Sequence, residues 1–129
     1  MTMTGGRRVL LVDDNENILS ILRDFFEGTY VVETAPNAIA ALSSIATNPP
    51  DLVLLDVNMP GTDGLTLLAT LRQRGLTTPV FIMTGYDSPA TVRKAVESGA
   101  TQYLVKPVDL RKLDRLIAGA LQTEPMLAG

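Results

Sequence analysis

The sequence of 129 residues contains neither cysteine nor histidine. Without cysteine, disulfide frameworks and thiolate zinc sites are excluded. Without histidine, the Ser-His-Asp and Cys-His catalytic arrangements are excluded, and so are imidazole-ligated metal sites. Any chemistry that these residues perform must therefore use carboxylate, lysine, threonine or tyrosine side chains.

Long apolar stretches and excess positive charge are also missing. No apolar run approaches the ~20 residues that a membrane-spanning helix needs, and the segment from Met1 to Gly6 lacks the apolar core of a signal peptide. The formal net charge is −3 and there is no basic stripe, which argues against a nucleic-acid surface. We therefore expect a cytoplasmic domain that contacts neither membrane nor nucleic acid.

Four short apolar runs each end at polar or charged residues. Residues 9–12 end at Asp13-Asp14, residues 52–55 at Asp56, residues 80–83 at Thr84-Gly85 and residues 103–105 at Lys106-Pro107. Consecutive apolar residues predict strands buried on both faces, as in a parallel sheet. Ligand sites in such sheets lie beyond the carboxyl ends of the strands. The sequence therefore predicts that three carboxylates, a hydroxyl and an ammonium share one edge of the sheet.

Strand-like and helix-like segments alternate five times, which predicts a three-layer α/β/α sandwich around a parallel sheet. Helical spacing predicts these core-facing residues: Ile18, Ile21, Leu22, Phe25 and Phe26; Ala38, Ala41, Leu42 and Ile45; Leu65, Leu68 and Leu71; Val92, Ala95 and Val96; Leu113, Leu116, Ile117, Ala120 and Leu121. Asn37 and Ser88 are predicted helix caps. We place the domain at residues 7–122 and expect flexible tails at residues 1–6 and 123–129.

The adjacent acids Asp13 and Asp14 allow two interpretations. One of them could cap the first helix, because Asp is common where a strand turns into a helix. Two acids in apolar surroundings also repel each other unless a cation neutralises them, which favours a site for a hard cation such as Mg²⁺. Asp56 could likewise only begin a turn. The other polar residues at the strand ends have similarly ordinary explanations when each is taken alone.

Taken together, the strand-end motifs resemble the receiver domain of bacterial response regulators. The matching residues, in chain order, are Asp13-Asp14, Asp56, Met59-Pro60-Gly61, Asp63-Gly64, Thr84-Gly85, Tyr103 and Lys106-Pro107. The resemblance extends from about Val9 to Leu121, nearly the whole chain. It implies a flavodoxin-like sheet of five parallel strands in the order 2-1-3-4-5, with the first and third strands as neighbours.

The resemblance implies a phosphoacceptor and a metal site. Asp56 would accept a phosphoryl group from the phosphohistidine of a histidine kinase or a histidine phosphotransfer protein. Asp14, Asp56 and the backbone carbonyl of Asn58 would bind Mg²⁺ or Mn²⁺ directly, and Asp13 would act mainly through a bound water.

The resemblance also implies a switch. Lys106, aimed by a cis peptide bond to Pro107, would pair with a phosphoryl oxygen. Thr84 would move toward the phosphoryl group and Tyr103 would turn inward. The surface formed by the fourth helix, fifth strand and fifth helix would then bind a downstream target or a second receiver. Asn58 and Tyr86 would influence how long the phosphoryl group persists.

Other functions fit the sequence less well. A haloacid-dehalogenase-like phosphatase also uses a strand-end Asp with Mg²⁺, but its signature needs a second Asp where Asn58 stands. A nucleotide or flavin binder needs a Gly-rich loop after the first strand, where the acidic residues 13–16 would repel phosphate. A receiver that works without phosphate is disfavoured by the complete acid set. The chain could also be the receiver part of a transcription factor or of a hybrid histidine kinase.

Overall fold

A computed structural model describes residues 6–59, 62–85 and 88–127 of the chain. The elements within these residues, in chain order, are β1 (Arg8–Val12), α1 (Glu16–Phe26), β2 (Val31–Ala35), α2 (Ala38–Thr47), β3 (Leu52–Asp56), β4 (Asn58–Met59), β5 (Thr62–Asp63), α3 (Gly64–Gln73), β6 (Val80–Thr84), α4 (Pro89–Glu97), β7 (Gln102–Val105) and α5 (Leu110–Leu121). None of these helices is long and apolar enough to cross a membrane.

The main sheet contains five parallel strands in the order β2-β1-β3-β6-β7. The two-residue strands β4 and β5 pair only with each other, as a short antiparallel hairpin after β3. The five long strands therefore have the predicted order 2-1-3-4-5, and the flavodoxin-like fold is confirmed. Because Val12 pairs with Leu55 across β1 and β3, the next residues, at positions 13 and 56, lie side by side at the carboxyl ends of these strands.

Each face of the sheet has its own hydrophobic core. Successive strand residues point to opposite faces, so Leu10 and Val53 pack with buried residues of α2, α3 and α4. Leu11 and Leu54 pack instead with buried residues of α1 and α5. Both sides of the central strands are thus covered by helices, which explains why these strands are apolar at consecutive positions.

Helix α1 is capped by Asn15 and not by either preceding aspartate. The Asn15 side-chain oxygen accepts hydrogen bonds from the backbone N–H groups of Asn17 and Ile18. Asp13 makes a different local contact, because its Oδ1 accepts the Asn15 N–H at 2.9 Å. The capping interpretation of the two acids is therefore wrong. The predicted caps Asn37 and Ser88 are observed.

Some predicted core-facing positions are wrong. Ile21 of α1 is 58% exposed and Val96 of α4 is 64% exposed. Leu19 is buried although it was not predicted, and Ala95 is the buried residue of α4. The physical reason is that the apolar face of these helices is wider than the part that the sheet covers. Periodicity alone therefore does not show which of the apolar residues are buried.

Gly64, at the start of α3, packs against the turn that follows β3. A Cβ atom at this position would lie 2.7 Å from Val57 Cα and 2.9 Å from the Asp56 carbonyl oxygen. We predict that Gly64→Ala lowers the free energy of unfolding by about 1–3 kcal/mol, because backbone atoms must move. Gly119→Ala in α5 is the matched control: nothing lies within 4 Å of its Cβ, and it should stabilise by about 0.5–1 kcal/mol. Urea unfolding measures both, and similar changes in the two variants would contradict the prediction.

The flexible tails remain a prediction. Residues 1–5 and 128–129 lie outside the described residues. Residues 123–127 make several hydrogen bonds to the domain.

Candidate functional site

Three carboxylates converge at the carboxyl ends of β1 and β3. One oxygen of each of Asp13, Asp14 and Asp56 lies within 4.8 Å of the other two. Asp13 and Asp56 are buried, whereas Asp14 is exposed. The adjacency of β1 and β3 brings together residues that are far apart in the sequence. The predicted convergence of these side chains is therefore observed, and we refer to them as the acid cluster.

Lys106 lies between the two buried members of the acid cluster. Its Nζ is 3.1 Å from Asp13 Oδ2 and 3.3 Å from Asp56 Oδ2. The residue follows β7, and its backbone N–H donates to the Thr84 carbonyl at the end of β6. The peptide bond from Lys106 to Pro107 is cis. The long lysine side chain thus extends past β6 and places its positive charge beside the acids. Buried carboxylates require such a partner.

The charges of the site influence one another strongly. Burial raises the pKa of the Asp13 carboxyl group above its usual 3.8, and repulsion from Asp56 raises it further. Hydrogen bonds from the Asn15 N–H and from Lys106, together with the positive charge of Lys106, oppose this rise. Burial alone would lower the pKa of Lys106, but hydrogen bonds and attraction from Asp13 and Asp56 outweigh that effect and raise it above 10.5. Lys106 is therefore an ammonium at neutral pH. A single ammonium does not balance three carboxylates, so the ionised cluster has room for additional positive charge.

The donor atoms of the acid cluster fit a hard divalent cation. Carboxylate oxygens are the ligands that Mg²⁺ prefers and that also suit Mn²⁺, and three of them lie within 4.8 Å of one another. The exposed position of Asp14 leaves one side of the cluster accessible to water, and Mg²⁺ usually retains several water ligands. The Asn58 N–H donates to Asp56 Oδ1 at 3.0 Å, which holds the Asn58 backbone beside the cluster. The role of the Asn58 carbonyl as a ligand stays a prediction.

Thr84 and Asn58 form the side of the site next to β6. Thr84 is the last residue of β6 and is buried. Its Oγ1 accepts a hydrogen bond of 2.8 Å from the Asn58 side-chain amide. Beside it, Gly85 is exposed, and a Cβ at this position would meet nothing within 4 Å. No local sequence pattern indicates the Asn58–Thr84 contact, although the strand order brings the two residues together once it is known.

Tyr103 is half-buried on β7 and packs against the core formed with α2, α3 and α4. Its predicted role as a switch stays a prediction. Three positions of the sequence analysis lie outside the described residues: Pro60, Gly61 and Tyr86. The side chain of Asp63 is likewise outside them.

Replacing Asp13 with asparagine should stabilise the domain in the absence of a divalent cation. Asparagine keeps an oxygen for the Asn15 N–H but brings no negative charge into the buried cluster. We expect the free energy of unfolding at neutral pH to rise by about 0.5–2 kcal/mol, as is common when a functional site is relieved of unfavourable interactions. Urea unfolding with a chelator measures this change, and a variant less stable than the parent at neutral pH would contradict it.

The pH dependence of this stabilisation provides an internal control. The pKa of Asp13 is higher in the folded protein than its usual 3.8, so stability is lost as the pH rises from 3.8 toward the raised value, and the loss is complete above it. Below 3.8 the side chain is protonated in both states and this destabilisation disappears. The advantage of Asp13→Asn should therefore shrink as the pH falls toward the usual value.

Known proteins share both the sequence and the fold of this chain. The family described as the response regulator receiver domain matches residues 9–118. The regulatory protein AtoC of Escherichia coli (strain K12) is 37% identical over 126 residues, covering 96% of this chain and 27% of the relative. Response regulator MprA of Mycobacterium sp. (strain KMS) is 41% identical over 108 residues, covering 82% of this chain and 46% of the relative.

A solved structure gives the same result for the fold. The CheY-like response regulator receiver domain protein of Methanospirillum hungatei JF-1 superposes with a TM-score of 0.84 at 32% identity, covering 91% of this chain and 94% of that chain. This chain spans 27% and 46% of the length of AtoC and MprA, respectively. The match over residues 9–118, together with the shared fold, shows that the chain belongs to the response regulator receiver domain family.

Proposed function

We propose that Asp56 accepts a phosphoryl group in the presence of Mg²⁺ or Mn²⁺, and that this modification changes a partner-binding surface. The observation that carries the proposal is the environment of the Asp56 carboxylate. One oxygen is 3.3 Å from Lys106 Nζ, and the other accepts the Asn58 N–H at 3.0 Å. These two contacts hold the Asp56 side chain in place within the acid cluster. Gly85, which follows β6, is exposed and has no side chain that could block access.

The reaction is the attack of a carboxylate on a phosphoryl group. An ionised Asp56 oxygen forms a bond to phosphorus while the phosphorus–nitrogen bond of a phosphohistidine breaks, which yields an acyl phosphate. These 129 residues include no histidine, so the imidazole donor belongs to another chain or to a segment outside this sequence. A histidine kinase or a histidine phosphotransfer protein supplies such a donor, and we place the exchange in the cytoplasm.

The residues around Asp56 stabilise charge on the transferred group. A cation held by Asp13, Asp14 and Asp56 would supply positive charge to the phosphoryl oxygens. The Lys106 ammonium pairs with a phosphoryl oxygen as a point charge. The Thr84 hydroxyl donates a hydrogen bond to another oxygen. Electrostatic stabilisation of this kind is the main contribution that proteins make to phosphoryl transfer.

The partner-binding surface is the one formed by α4, β7 and α5. Thr84 ends β6, which pairs with β7 of this surface, and Tyr103 lies on β7 itself. Val96 of α4 and Val105 of β7 are 64% and 41% exposed. Exposed apolar side chains beside a switch residue favour contact with a protein, either a downstream target or a second receiver.

Incubation with acetyl phosphate, followed by intact-mass measurement, tests the proposed function. We expect a gain of one phosphoryl group with Mg²⁺ and no gain when a chelator replaces the cation. A protein that stays unmodified under both conditions contradicts the proposal. Rapid turnover of a small phosphoester would favour the phosphatase alternative, and a yellow purified protein would favour a flavin binder.

Replacing Thr84 with alanine should separate phosphorylation from switching. The variant keeps Asp56, Lys106 and the acid cluster but loses the hydroxyl. We expect the rate of phosphorylation to fall by no more than about tenfold, the scale of one hydrogen bond. The NMR shift changes that phosphorylation causes at Tyr103 and in α4 should be lost. Thr84→Ser restores the hydroxyl and should restore them, whereas full shift changes in Thr84→Ala would contradict the role of Thr84.

A further inference from the structure

Asp114 is a fully buried carboxylate that the proposed function does not use. It lies on α5, on the same buried face as Leu113, Ile117 and Ala118. Its two oxygens accept hydrogen bonds from consecutive backbone N–H groups: Oδ1 from Met126 at 2.9 Å and Oδ2 from Leu127 at 2.8 Å. A buried carboxylate is tolerated when its hydrogen-bonding capacity is satisfied. Here the donors come from the segment that follows α5.

That segment, residues 123–127, makes further contacts with the domain, and we call it the C-terminal strap. Thr123 donates its N–H to the Ala118 carbonyl, and its hydroxyl shares a hydrogen bond of 3.3 Å with the Tyr30 hydroxyl. The Met126 side chain packs against the core formed with α1 and α5. The strap therefore combines backbone, hydroxyl and apolar contacts.

The turn between α5 and the strap is also informative. Gln122 has φ 57° and ψ 46°, the left-handed conformation that costs a residue with a Cβ roughly 1 kcal/mol or more. This conformation reverses the chain so that residues 126 and 127 return to Asp114. Unfavourable backbone conformations persist where surrounding contacts determine them, and the contacts of the strap meet that condition.

We propose that Asp114 is the binding site for the C-terminal strap and that the docked strap fixes where the chain leaves the domain. Helix α5 begins after the carboxyl end of β7, beside the acid cluster, and runs back to the opposite end of the sheet. Tyr30, which directly precedes β2, lies at that opposite end. The strap therefore directs the chain across the end of α1 and α5 that is remote from Asp56.

The strap also affects the proposed partner-binding surface, an inference that rests on the proposed function. Helix α5 is one of the three elements of the proposed partner-binding surface, and the strap is attached to it through Asp114 and Ala118. The chain at residues 126 and 127 is thereby held against α5. Release of the strap would remove both hydrogen-bond donors of the Asp114 carboxylate, which favours the docked state.

Amide hydrogen exchange at Met126 and Leu127, followed by NMR, tests the docking of the strap. In the parent protein both amides should exchange far more slowly than in an unstructured chain. Asp114→Asn has nearly the same shape but no charge, and it should speed their exchange by about 10- to 100-fold, the range expected for hydrogen bonds to a charged group. Asp24→Asn, at an exposed position of α1, makes the same charge change and should leave both rates unaltered. Unprotected amides in the parent, or unchanged rates in Asp114→Asn, would overturn the proposal.

A shortened chain that ends at Gln122 gives an independent test. In the full chain, Asp114→Asn should lower the midpoint of urea unfolding. In the shortened chain the carboxylate has lost both donors, so the same substitution should change the midpoint much less. An equal fall of the midpoint in both chains contradicts the proposal. Phosphoryl incorporation at Asp56 should be unaffected by Asp114→Asn, so a failure of the strap and a failure of the proposed function give different results.

Discussion

Asp56→Asn should abolish phosphoryl incorporation from acetyl phosphate. The amide has no carboxylate oxygen to form the acyl phosphate, although its size and shape are nearly those of aspartate. We expect the rate to fall by at least about 1,000-fold, the scale seen when a nucleophile is removed. Intact mass over time measures the rate. Asp109→Asn is the matched control, because Asp109 is an exposed cap of α5 where asparagine serves equally well.

The prediction distinguishes Asp56 from the other two acids. Asp13 is also buried, pairs with Lys106 and accepts a backbone N–H, as Asp56 does. Asp56 differs because it ends β3, the strand that pairs with β6, and β6 ends at Thr84. Asp14 is exposed. We therefore expect Asp13→Asn and Asp14→Asn to bind Mg²⁺ more weakly, so that labelling requires a higher Mg²⁺ concentration. The nucleophile remains in both variants. Persistent labelling in Asp56→Asn, with loss in one of the other variants, would show that the phosphoacceptor is misassigned.

Lys106→Met should have the second-largest effect on labelling. Methionine has a similar length and an apolar stem but no ammonium to pair with a phosphoryl oxygen. Removing one such charge-stabilising group commonly lowers a rate by about 100- to 1,000-fold. Lys112→Met, at an exposed position of α5, removes the same charge outside the site and should leave the rate unchanged. Equal rates for the two variants would exclude Lys106 from the reaction.

Lys106→Met should also change stability in the direction opposite to Asp13→Asn. The Nζ atom lies 3.1 and 3.3 Å from two buried carboxylates, and its loss leaves both without their ammonium partner. We expect the free energy of unfolding in a chelator to fall by about 1–3 kcal/mol. Added Mg²⁺ should recover more stability in Lys106→Met than in the parent, because binding to the folded state stabilises it. A variant as stable as the parent in chelator would contradict the pairing.

The sheet and the acid cluster could be predicted because each depends on a strong sequence pattern. Consecutive apolar residues such as Val9 to Val12 fit strands buried on both sides; β1 ends directly before Asp13, and β3 ends with Asp56. The strand order came from the resemblance to receiver domains, since periodicity alone does not order strands. Once β1 and β3 are neighbours, the convergence of Asp13 and Asp56 follows from the register of the pairing.

Helix faces were predicted less well because surface apolar residues also follow helical spacing. Ile21 was assigned to the core, yet it lines an open apolar groove of about 470 Å³ together with Ile18, Pro107 and Leu110. A residue that lines such a groove is apolar although its side chain is exposed to solvent. The pattern of α1 therefore indicates which side of the helix is apolar but not how far the sheet and α5 extend over it.

Two contacts between distant parts of the chain could not be predicted. The Asn58 amide reaches Thr84 only because β3 and β6 are adjacent. Asp114 interrupts the apolar face of α5, and its partners lie in a segment without periodicity that the sequence led us to expect as flexible. Neither position has a local signal, because each polar group is satisfied by atoms that the fold brings from elsewhere in the chain.

Locating the phosphoryl group within the chain tests the central claim most directly. The protein is treated with acetyl phosphate and Mg²⁺, the acyl phosphate is reduced with borohydride to a stable product, and tandem mass spectrometry identifies the reduced residue. We predict modification at Asp56 alone, and none in the presence of a chelator. Modification at any other residue, or to the same extent without a divalent cation, would contradict the account.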